Sequence, residues 1–394
     1  MSGRTILISP LNWGFGHAGR MIPLALELKK RGNEVIFGAD AQLLPLLEHE
    51  LPGIRLVEIP GMHIRYSRLL PQYLCIFMQL PVVVISAFRE HFALKRIAGE
   101  INPSVIISDN RFGFFHHSIF SVYVTHQLRI PFPWPLRFME PFAAWLHRMI
   151  ISRYDLCLVP DYPGPVNLSG RLSHGLKLPV NVHYMGPLSR FVMASPPEAG
   201  ITLRHPYCCL ILSGPEPQRT MLLEEVSAAL RGIQLCVLST APVKIIPGDD
   251  PFLTCIVRPG SGTMRQLIEG SSLVITRAGY TSVMELVSLG KGAVLIPTPG
   301  QPEQEYLGEY LNGHHGFITL EQQKVESLRK LAEGFMVNDT DPPSQLPDTV
   351  STGGNAFRQP PDNVPPVRNY APQLSYGTGL FEQTVNLLLE QDKE

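Results

Sequence analysis

A candidate phosphate-binding turn follows a short apolar segment in the second half of the chain. Leu273–Thr276 is rich in β-branched residues, which predicts a buried strand, and helical periodicity begins after Arg277-Ala278-Gly279. A helix that starts beside a glycine presents unpaired backbone N–H groups and the positive end of its dipole to an anion. Thr281 or Ser282 is expected to cap this helix. The turn therefore favours a bound diphosphate.

Polar side chains follow at positions that suit the rest of a sugar nucleotide. Glu285 lies off the apolar stripe of the predicted helix, and its carboxylate could accept two hydrogen bonds from the vicinal hydroxyls of a ribose. The next predicted strand, Ala293–Ile296, ends in a Pro-rich loop at the same carboxyl edge, where amides and carboxylates could bind sugar hydroxyls. The side chains carried by this loop are Gln301, Glu303, Gln304 and Glu305.

These residues resemble the C-terminal domain of the MurG-like glycosyltransferases of family 28. The resemblance lies in the segment RAG-x-x-(S/T)-x-x-E, followed by a Pro-rich loop and Q-(Q/E). It implies an α/β protein of GT-B architecture, with two Rossmann-like doubly wound domains that face each other across a cleft. The donor site implied by position has Arg277, Ala278 and Gly279 at the phosphate and base, Glu285 at the ribose, and Gln304 with Glu305 at the sugar; we add Tyr280, Thr281, Ser282 and Gln301.

A second candidate site lies near the N-terminus. The predicted strand Thr5–Ser9 leads into LNWGFGHAGR and an amphipathic helix, a Rossmann-like opening whose glycines do not match the dinucleotide pattern G-x-G-x-x-G. Family 28 proteins have a GGxGGH-type turn here, with its histidine in the cleft, and a subgroup with a GHATR loop is more similar. The resemblance places Gly16 at the donor. His17 is a candidate base for the acceptor hydroxyl, or a hydrogen-bond donor to phosphate or acceptor, and Arg20 is a candidate for acceptor binding.

Polar pairs follow two further predicted strands of the first domain, Val105–Ser108 and Val122–Thr125. Ligands of doubly wound sheets bind at the carboxyl edge, so these pairs are candidates for acceptor binding. They are Asp109 with Asn110 and His126 with Gln127. Asp109 is also an alternative catalytic base.

A shortened glycine loop follows the first predicted strand of the second domain. After the predicted strand Tyr207–Leu212, the loop up to Arg219 corresponds by position to the family's second glycine-rich loop, but it contains one glycine. Ser213, Gly214 and Arg219 could contact the diphosphate, with Arg219 compensating its charge. Because no acidic pair with D-x-D spacing ends a predicted strand, we expect metal-independent transfer and no cofactor besides the sugar nucleotide.

Length and composition are consistent with two domains and a tail. The 394 residues carry a net charge of -1, so no overall field favours nucleic acid. The six cysteines lack zinc-site spacing and the N-terminus lacks the layout of a signal peptide, so we expect a cytoplasmic protein. The expected divisions are an N-terminal acceptor-side domain at 1–185, a linker at 186–206, a nucleotide-sugar-binding domain at 207–336, a disordered Pro-rich loop at 337–379, and a C-terminal helix at 380–394 that packs back on the first domain.

Two apolar segments bear on membrane contact. Leu69–Phe88 is uncharged but is interrupted by prolines and glutamines, which favours a cleft-lining or interfacial segment. Ile130–Arg153 mixes aromatic residues with arginines, which is typical of an interfacial amphipathic segment, and a core helix with a solvated face is the alternative. An interfacial position would suit a lipid-linked acceptor and a peripheral location on the inner face of the cell membrane.

The activity implied is inverting transfer of a hexose or N-acetylhexosamine from a nucleoside diphosphate sugar, usually UDP-linked in this family, to an acceptor hydroxyl. The helix dipole, Arg219 and Arg277 would stabilise the leaving diphosphate, and His17 or Asp109 would receive the proton. Two alternatives stay open. A non-hydrolysing nucleotide-sugar epimerase shares this fold and would convert the donor without an acceptor, whereas a non-catalytic sugar-nucleotide-binding protein would turn nothing over.

Overall fold

Two parallel β-sheets succeed each other along the chain. The computed structural model describes residues 3–12, 14–61, 74–75, 78–197, 201, 203–243, 250–337 and 378–390. The strands of the first sheet are β1 (Thr5–Pro10), β2 (Glu34–Ala39), β3 (Arg55–Glu58), β4 (Val105–Asp109), β5 (Phe120–Val124), β6 (Leu156–Val159) and β7 (Val182–Tyr184). Those of the second sheet are β8 (Cys208–Leu212), β9 (Leu235–Ser239), β10 (Leu253–Val257), β11 (Leu273–Thr276), β12 (Ala293–Leu295) and β13 (Phe317–Thr319).

Helices flank both sheets, and apolar cores cover both faces of each sheet. The α-helices are α1 (Phe15–Lys30), α2 (Leu44–Glu50), α3 (Leu80–Ile101), α4 (Glu140–Ile151), α5 (Gln218–Ala229), α6 (Ser261–Glu269), α7 (Tyr280–Ser288), α8 (Pro302–Leu311), α9 (Leu328–Val337) and α10 (Thr378–Glu390). Short 3-10 helices cover Trp134–Met139, Gly170–Leu172, Arg190–Met193 and Gln322–Ser327.

Both sheets are doubly wound. The first has the strand order β3-β2-β1-β4-β5-β6-β7 and the second β10-β9-β8-β11-β12-β13, with parallel neighbours throughout. The direction of winding therefore reverses between β1 and β4 and between β8 and β11. Ligands of such sheets bind outside the carboxyl ends of the strands at these points.

Local sequence explains the first strand, turn and helix of the N-terminal domain. β1 is buried from its second residue onward, as expected for a parallel strand covered on both faces. The apolar stripe of α1, which includes Met21, Leu24, Ala25 and Leu28, is fully buried against it. Between them Gly14 has φ 83°, in the left-handed region that side chains disfavour. This turn brings the start of α1 to the carboxyl edge of the sheet.

The C-terminal helix α10 packs on the first domain. Val385 and Leu388 are buried in the same apolar core as α1. The helix begins at Thr378, two residues before the Leu380 expected from the sequence. Except for its ends, the Pro-rich segment at 337–379 lies outside the described residues, so its expected disorder stays a prediction.

Two helices of the first domain turn large apolar side chains outward. Of the segment 69–88, only 74–75 and 78–88 are described. We call the outward side of α3 and of the 134–151 helical segment the apolar face. Its exposed residues include Val84, Ile85, Phe88, Phe92, Phe138, Phe142 and Trp145. Within 130–153, Phe138, Phe142 and Trp145 are exposed, and the interfacial position of this segment stays a prediction. No described helix is long and apolar enough to cross a membrane.

Candidate active site

A buried ionic cluster lies at the carboxyl edge of the first sheet. His17 and Arg20 lie one turn apart on α1, and the register of β1 and β4 places Asp109 opposite Pro10. Asp109 Oδ2 lies 2.9 Å from His17 Nδ1 and 3.0 Å from Arg20 Nε, and Arg20 Nη2 donates to Asp109 Oδ1. The two candidate bases predicted from the sequence therefore form one hydrogen-bonded pair.

The proton position on His17 follows from these contacts. Burial would raise the pKa of Asp109, but Arg20 and His17 hold it below its ordinary value, so Asp109 is an ionised, acceptor-only group. His17 Nδ1 donates to this carboxylate, which leaves a lone pair on Nε2, although the donor Arg20 Nη2 also lies 3.0 Å from Nδ1. Burial and Arg20 lower the pKa of His17 despite the opposite effect of Asp109. A neutral His17 with a free Nε2 is the form expected at neutral pH.

The acceptor role predicted for Arg20 is not supported. Arg20 is 1% exposed, and its guanidinium is bound by Asp109 and by His126 Nδ1 at 3.0 Å. His126 is 4% exposed and both of its ring nitrogens have protein partners, so its predicted acceptor role is not supported either. Asn110 and Gln127 are partly exposed at the same edge, where Asn110 Oδ1 accepts from the Tyr123 hydroxyl, and they remain candidates for acceptor binding.

His126 reaches across the cleft to the second domain. Its Nε2 lies 2.8 Å from Glu303 Oε1 at the start of α8. Its ring stacks on Tyr280, with centroids 4.3 Å apart and 3° between the planes. Tyr280 is buried, and its hydroxyl donates back to Pro160 O at 2.9 Å. Tyr280 therefore packs between the domains instead of making the donor contact predicted for it.

The start of α7 meets the start of α1. Gly279 is the N-cap of α7 and no side chain caps the helix, so the capping predicted for Thr281 or Ser282 is wrong. Thr281 Oγ1 donates to Gly16 O at 3.3 Å, and a Cβ at Gly16 would lie 3.3 Å from that hydroxyl. Gly16 thus allows the helices to pack, whereas Ala278 and Ser282 are buried. A Cβ at Gly279 would meet nothing within 4 Å, so there is space for a ligand at this helix start.

Glu285, predicted to bind ribose, forms a buried ion pair. Its Oε1 accepts from Arg190 Nε at 2.8 Å, and the two side chains are 8% and 5% exposed. Burial raises the pKa of Glu285, against the effect of Arg190. The guanidinium also lies 4.8 Å from the centroid of the Phe15 ring. Arg190 was not among the predicted site residues, although an arginine within the expected linker was a usable signal.

A cavity of about 200 Å³ lies beside Arg190 at the carboxyl ends of β9 and β10. α2 of the first domain closes its other side, where Glu50 Oε1 accepts from Ser261 N at 2.8 Å. Ser261 Oγ is buried without a partner. Small-ligand pockets usually hold roughly 300–1,000 Å³, so this part of the cleft is nearly closed. The lining residues include Phe15, Leu46, His49, Glu50, Arg258 and Met264.

Comparison with known proteins identifies the second domain. Residues 256–349 match the family model described as the glycosyltransferase family 28 C-terminal domain. These residues are thus similar to a family 28 C-terminal domain, and we refer to them as the family 28 domain. An uncharacterized glycosyltransferase of Methanosarcina mazei is 26% identical over 330 residues, which are 76% of this chain and 81% of that protein. A 44-residue segment is 46% identical to UDP-N-acetylglucosamine--N-acetylmuramyl-(pentapeptide) pyrophosphoryl-undecaprenol N-acetylglucosamine transferase 2 of Bacillus thuringiensis and covers 11% of this chain and 12% of that protein.

Solved structures show the fold around this family 28 domain. The calicheamicin glycosyltransferase CalG4 matches with a TM-score of 0.59 and 14% identity, over 86% of this chain and 91% of that one. MurG of Acinetobacter baumannii matches with a TM-score of 0.52 and 13% identity, over 98% and 100%. A Listeria monocytogenes protein described as a UDP-N-acetylglucosamine 2-epimerase matches with a TM-score of 0.56 and 15% identity, over 86% and 89%. The GT-B architecture expected from the sequence is confirmed.

Within the family 28 domain, Arg277 holds loops together. Its guanidinium donates to Ile296 O at 3.2 Å, Gln322 Oε1 at 2.8 Å and Gln218 O at 3.0 Å. It is 3% exposed, and burial lowers its pKa to about 10. These bonds connect the end of β12, the start of α5 and the 3-10 helix Gln322–Ser327. The phosphate contact predicted for Arg277 is therefore not supported.

The Pro-rich loop of the family 28 domain is shaped by two residues predicted to bind the sugar. Gln304 Oε1 accepts from Thr298 N at 2.9 Å, and Glu305 Oε1 accepts from Gly300 N at 2.7 Å. Gln301 is the partly exposed N-cap of α8. Gln304 keeps its amide N–H groups and Glu305 a second oxygen, so both can still meet a ligand.

The loop after β8 contains the remaining predicted donor contacts. Gly214 is exposed with φ 96°, and Ser213 is half-buried. Arg219 Nη2 lies 2.6 Å from Glu216 Oε1, so a diphosphate would compete with this carboxylate for Arg219. Among the described residues, no three or more His, Cys, Asp or Glu side chains are grouped to hold a metal ion.

Proposed function

We propose that the protein is an inverting glycosyltransferase that moves a hexose or N-acetylhexosamine from a UDP-sugar to an acceptor hydroxyl. The observation that carries the proposal is the His17–Asp109 pair lying in one cleft with the uncapped start of α7. A base and an anion site in one cleft are what displacement of a diphosphate at an anomeric carbon requires. The family 28 match and the glycosyltransferase relative support this class of reaction.

His17 acts as the general base in the proposed reaction. Its Nε2 takes the proton of the acceptor hydroxyl while the hydroxyl oxygen attacks the anomeric carbon. The bond between that carbon and the diphosphate breaks on the opposite face, and its electron pair leaves on the phosphate oxygen. Asp109 orients His17 and stabilises the imidazolium. Asp109 is buried and accepts hydrogen bonds at both oxygens, so we assign it a positioning role.

The second domain binds the donor in this proposal. Backbone N–H groups at the start of α7 hold the diphosphate, and Arg190 adds positive charge from the wall of the cavity. The cavity itself takes the nucleobase when the cleft opens. Glu285 orients Arg190 through their ion pair. Because these groups neutralise the leaving diphosphate, we propose that the transfer needs no metal ion.

The two alternative functions are less well supported. The fold is shared with the Listeria monocytogenes protein described as an epimerase, so the fold does not favour either activity. The family 28 match and the glycosyltransferase relatives favour transfer. A non-catalytic binding protein does not require a buried carboxylate that orients a histidine with a free Nε2, so the His17–Asp109 pair favours an enzyme.

The apolar face supports a lipid-linked acceptor and a peripheral position on the inner face of the cell membrane. Exposed arginines, including Arg89 and Arg148, flank its aromatic residues, a combination that binds anionic lipid surfaces. Co-sedimentation with phosphatidylglycerol vesicles tests this. Replacing Phe88 and Phe142 with Ser should weaken binding about tenfold or more, whereas replacing Phe252, an exposed residue of the second domain, should not. Equal binding of both variants would contradict membrane contact.

Calorimetric titration tests the donor class directly. UDP, GDP, dTDP and their sugars would be titrated into the wild type, Glu285→Ala, and the matched control Glu309→Ala, an exposed position on α8. We expect one nucleotide to bind, with Glu285→Ala weaker by roughly 1.5–3 kcal/mol because Arg190 loses its orientation. No nucleotide binding would refute the proposal. Conversion of the bound donor to its epimer without acceptor would favour the epimerase.

A further inference from the structure

Glu303 of the second domain is the far end of a hydrogen-bonded chain that begins at His17. His17 Nδ1 lies 2.9 Å from Asp109 Oδ2, which lies 3.0 Å from Arg20 Nε. Arg20 Nη1 lies 3.0 Å from His126 Nδ1, and His126 Nε2 lies 2.8 Å from Glu303 Oε1. These five residues, named here the base network, connect the proposed base to the Pro-rich loop of the other domain.

The direction of each hydrogen bond around His126 follows from its partners. A guanidinium has only donors, so His126 Nδ1 must accept from Arg20 and its proton must lie on Nε2. That N–H points to Glu303, whose pKa burial would raise but His126 holds below its ordinary value. Glu303 is therefore a carboxylate that accepts from His126. It selects the tautomer that can in turn accept from Arg20.

Arg20 has a competing partner within reach. Its Nη2 donates to Asp109 Oδ1 but also lies 3.0 Å from His17 Nδ1. Nη2 carries two N–H groups, so its bond to Asp109 does not by itself exclude a second bond to His17. If the second N–H donated to His17 Nδ1, the His17 proton would move to Nε2 and no lone pair would remain for an acceptor hydroxyl. A bond from Nη1 to His126 restrains the guanidinium in the orientation that serves Asp109. Whether His126 Nδ1 accepts from Arg20 thus decides which nitrogen of His17 carries the proton.

We propose that Glu303 is a positioning residue that, through His126 and Arg20, keeps His17 in the tautomer able to accept a proton, and does so only while the two domains are in contact. The inference rests on the proposed base role of His17. It couples base formation to closure of the cleft, because Glu303 and His17 belong to different domains. An open cleft then leaves His17 without its restraint, which limits proton transfer to the closed complex.

Histidine nitrogen NMR on the unliganded protein tests the tautomers without any substrate. Signals of His17 and His126 would be assigned with His17→Gln and His126→Gln. We expect protonated Nδ1 in His17 and protonated Nε2 in His126 in the wild type, and averaging of both tautomers in Glu303→Ala. Glu303→Gln should restore the wild-type pattern, because an amide oxygen also accepts from Nε2–H. Glu309→Gln on the same helix is the control, being exposed and outside the network. Unchanged signals in Glu303→Ala would overturn the inference.

Kinetics of the full-length protein give the second readout. Glu303→Ala should lower kcat about tenfold or more and change the donor KM less than about threefold, and Glu303→Gln should recover most of the rate. A raised donor KM with unchanged kcat would mean that Glu303 binds the sugar directly, and the inference would be wrong. If wild type transfers no sugar while the NMR pattern is as expected, the proposed function fails but the control of His17 by Glu303 stands.

Discussion

The two sheet edges that face each other across the cleft present different chemical groups, side chains at the first edge and mainly backbone at the second. The first presents interlocked side chains, with His17, Arg20 and Asp109 bonded to one another and largely buried. The second presents backbone, at the uncapped start of α7 and the exposed Gly214, while Arg277 is committed to loop carbonyls. Side chains can move protons, and backbone N–H groups can only bind. Substitutions should therefore abolish chemistry at the first edge and tune affinity at the second.

The largest effect should come from His17→Gln. Loss of the base should lower kcat by about 10²–10⁴-fold, whereas nucleotide affinity should stay within about threefold because the donor lies on the other edge. Steady-state kinetics and calorimetry on the same preparation separate the two quantities. If kcat fell by less than tenfold, another residue would be the base. A large loss of nucleotide affinity would contradict the assignment of chemistry to the first edge and of binding to the second.

Acid should lower the unfolding free energy of the first domain through the protonation of His147. His147 is buried, and burial lowers its pKa to about 4, from 6.5 in the unfolded chain. The unfolded state thus takes up the proton first, so stability is retained above pH 6.5 and lost as the pH falls towards 4. The loss should reach about 3 kcal/mol.

Tryptophan fluorescence during urea unfolding measures this effect, since Trp13, Trp134 and Trp145 all belong to the first domain. The comparison is between pH 7.5 and pH 4. His147→Leu should show a markedly smaller loss between these values. An equal pH dependence in wild type and variant would show that another group governs acid sensitivity.

Arg190→Gln should weaken nucleotide binding by roughly 1.5–3 kcal/mol, from the loss of a charge-assisted contact. The Gln amide can still donate to Glu285, so the carboxylate is not left unpaired. Calorimetry with the preferred nucleotide measures the change, with exposed Arg231→Gln as control. If kcat fell far more than affinity, Arg190 would take part in the chemical step and not only in binding.

The smallest effect is expected from Glu50→Ala, and it is the only predicted increase in nucleotide affinity. Glu50 occupies the Ser261 N–H at the cavity, so its removal should free that donor and tighten nucleotide binding about two- to tenfold. Glu48→Ala, exposed on the same helix, should leave affinity unchanged. Weaker binding by Glu50→Ala would instead mean that Glu50 itself contacts the nucleotide.

Sequence reasoning was most accurate where structure is local. The strand Leu273–Thr276 has the bounds that its β-branched pattern predicts, and a helix follows Gly279 directly. It was least accurate for charged side chains. Glu285 lies on the predicted helix, but its partner Arg190 is 95 residues away, and Arg277 binds carbonyls of three other segments. A charge in a sequence does not specify which buried group will neutralise it.

Hydrophobic periodicity and steric freedom act over a few neighbouring residues, so the sequence alone was enough to predict strands such as β1, β4, β8 and β11 and the glycines and polar residues that follow them. The pairing among those residues depends on the tertiary fold. His17 and Asp109 are 92 positions apart, and His126 and Glu303 are 177 positions apart across two domains. Parallel strands gather distant residues at one edge, and hydrogen-bond geometry within that edge then decides which atom holds each proton.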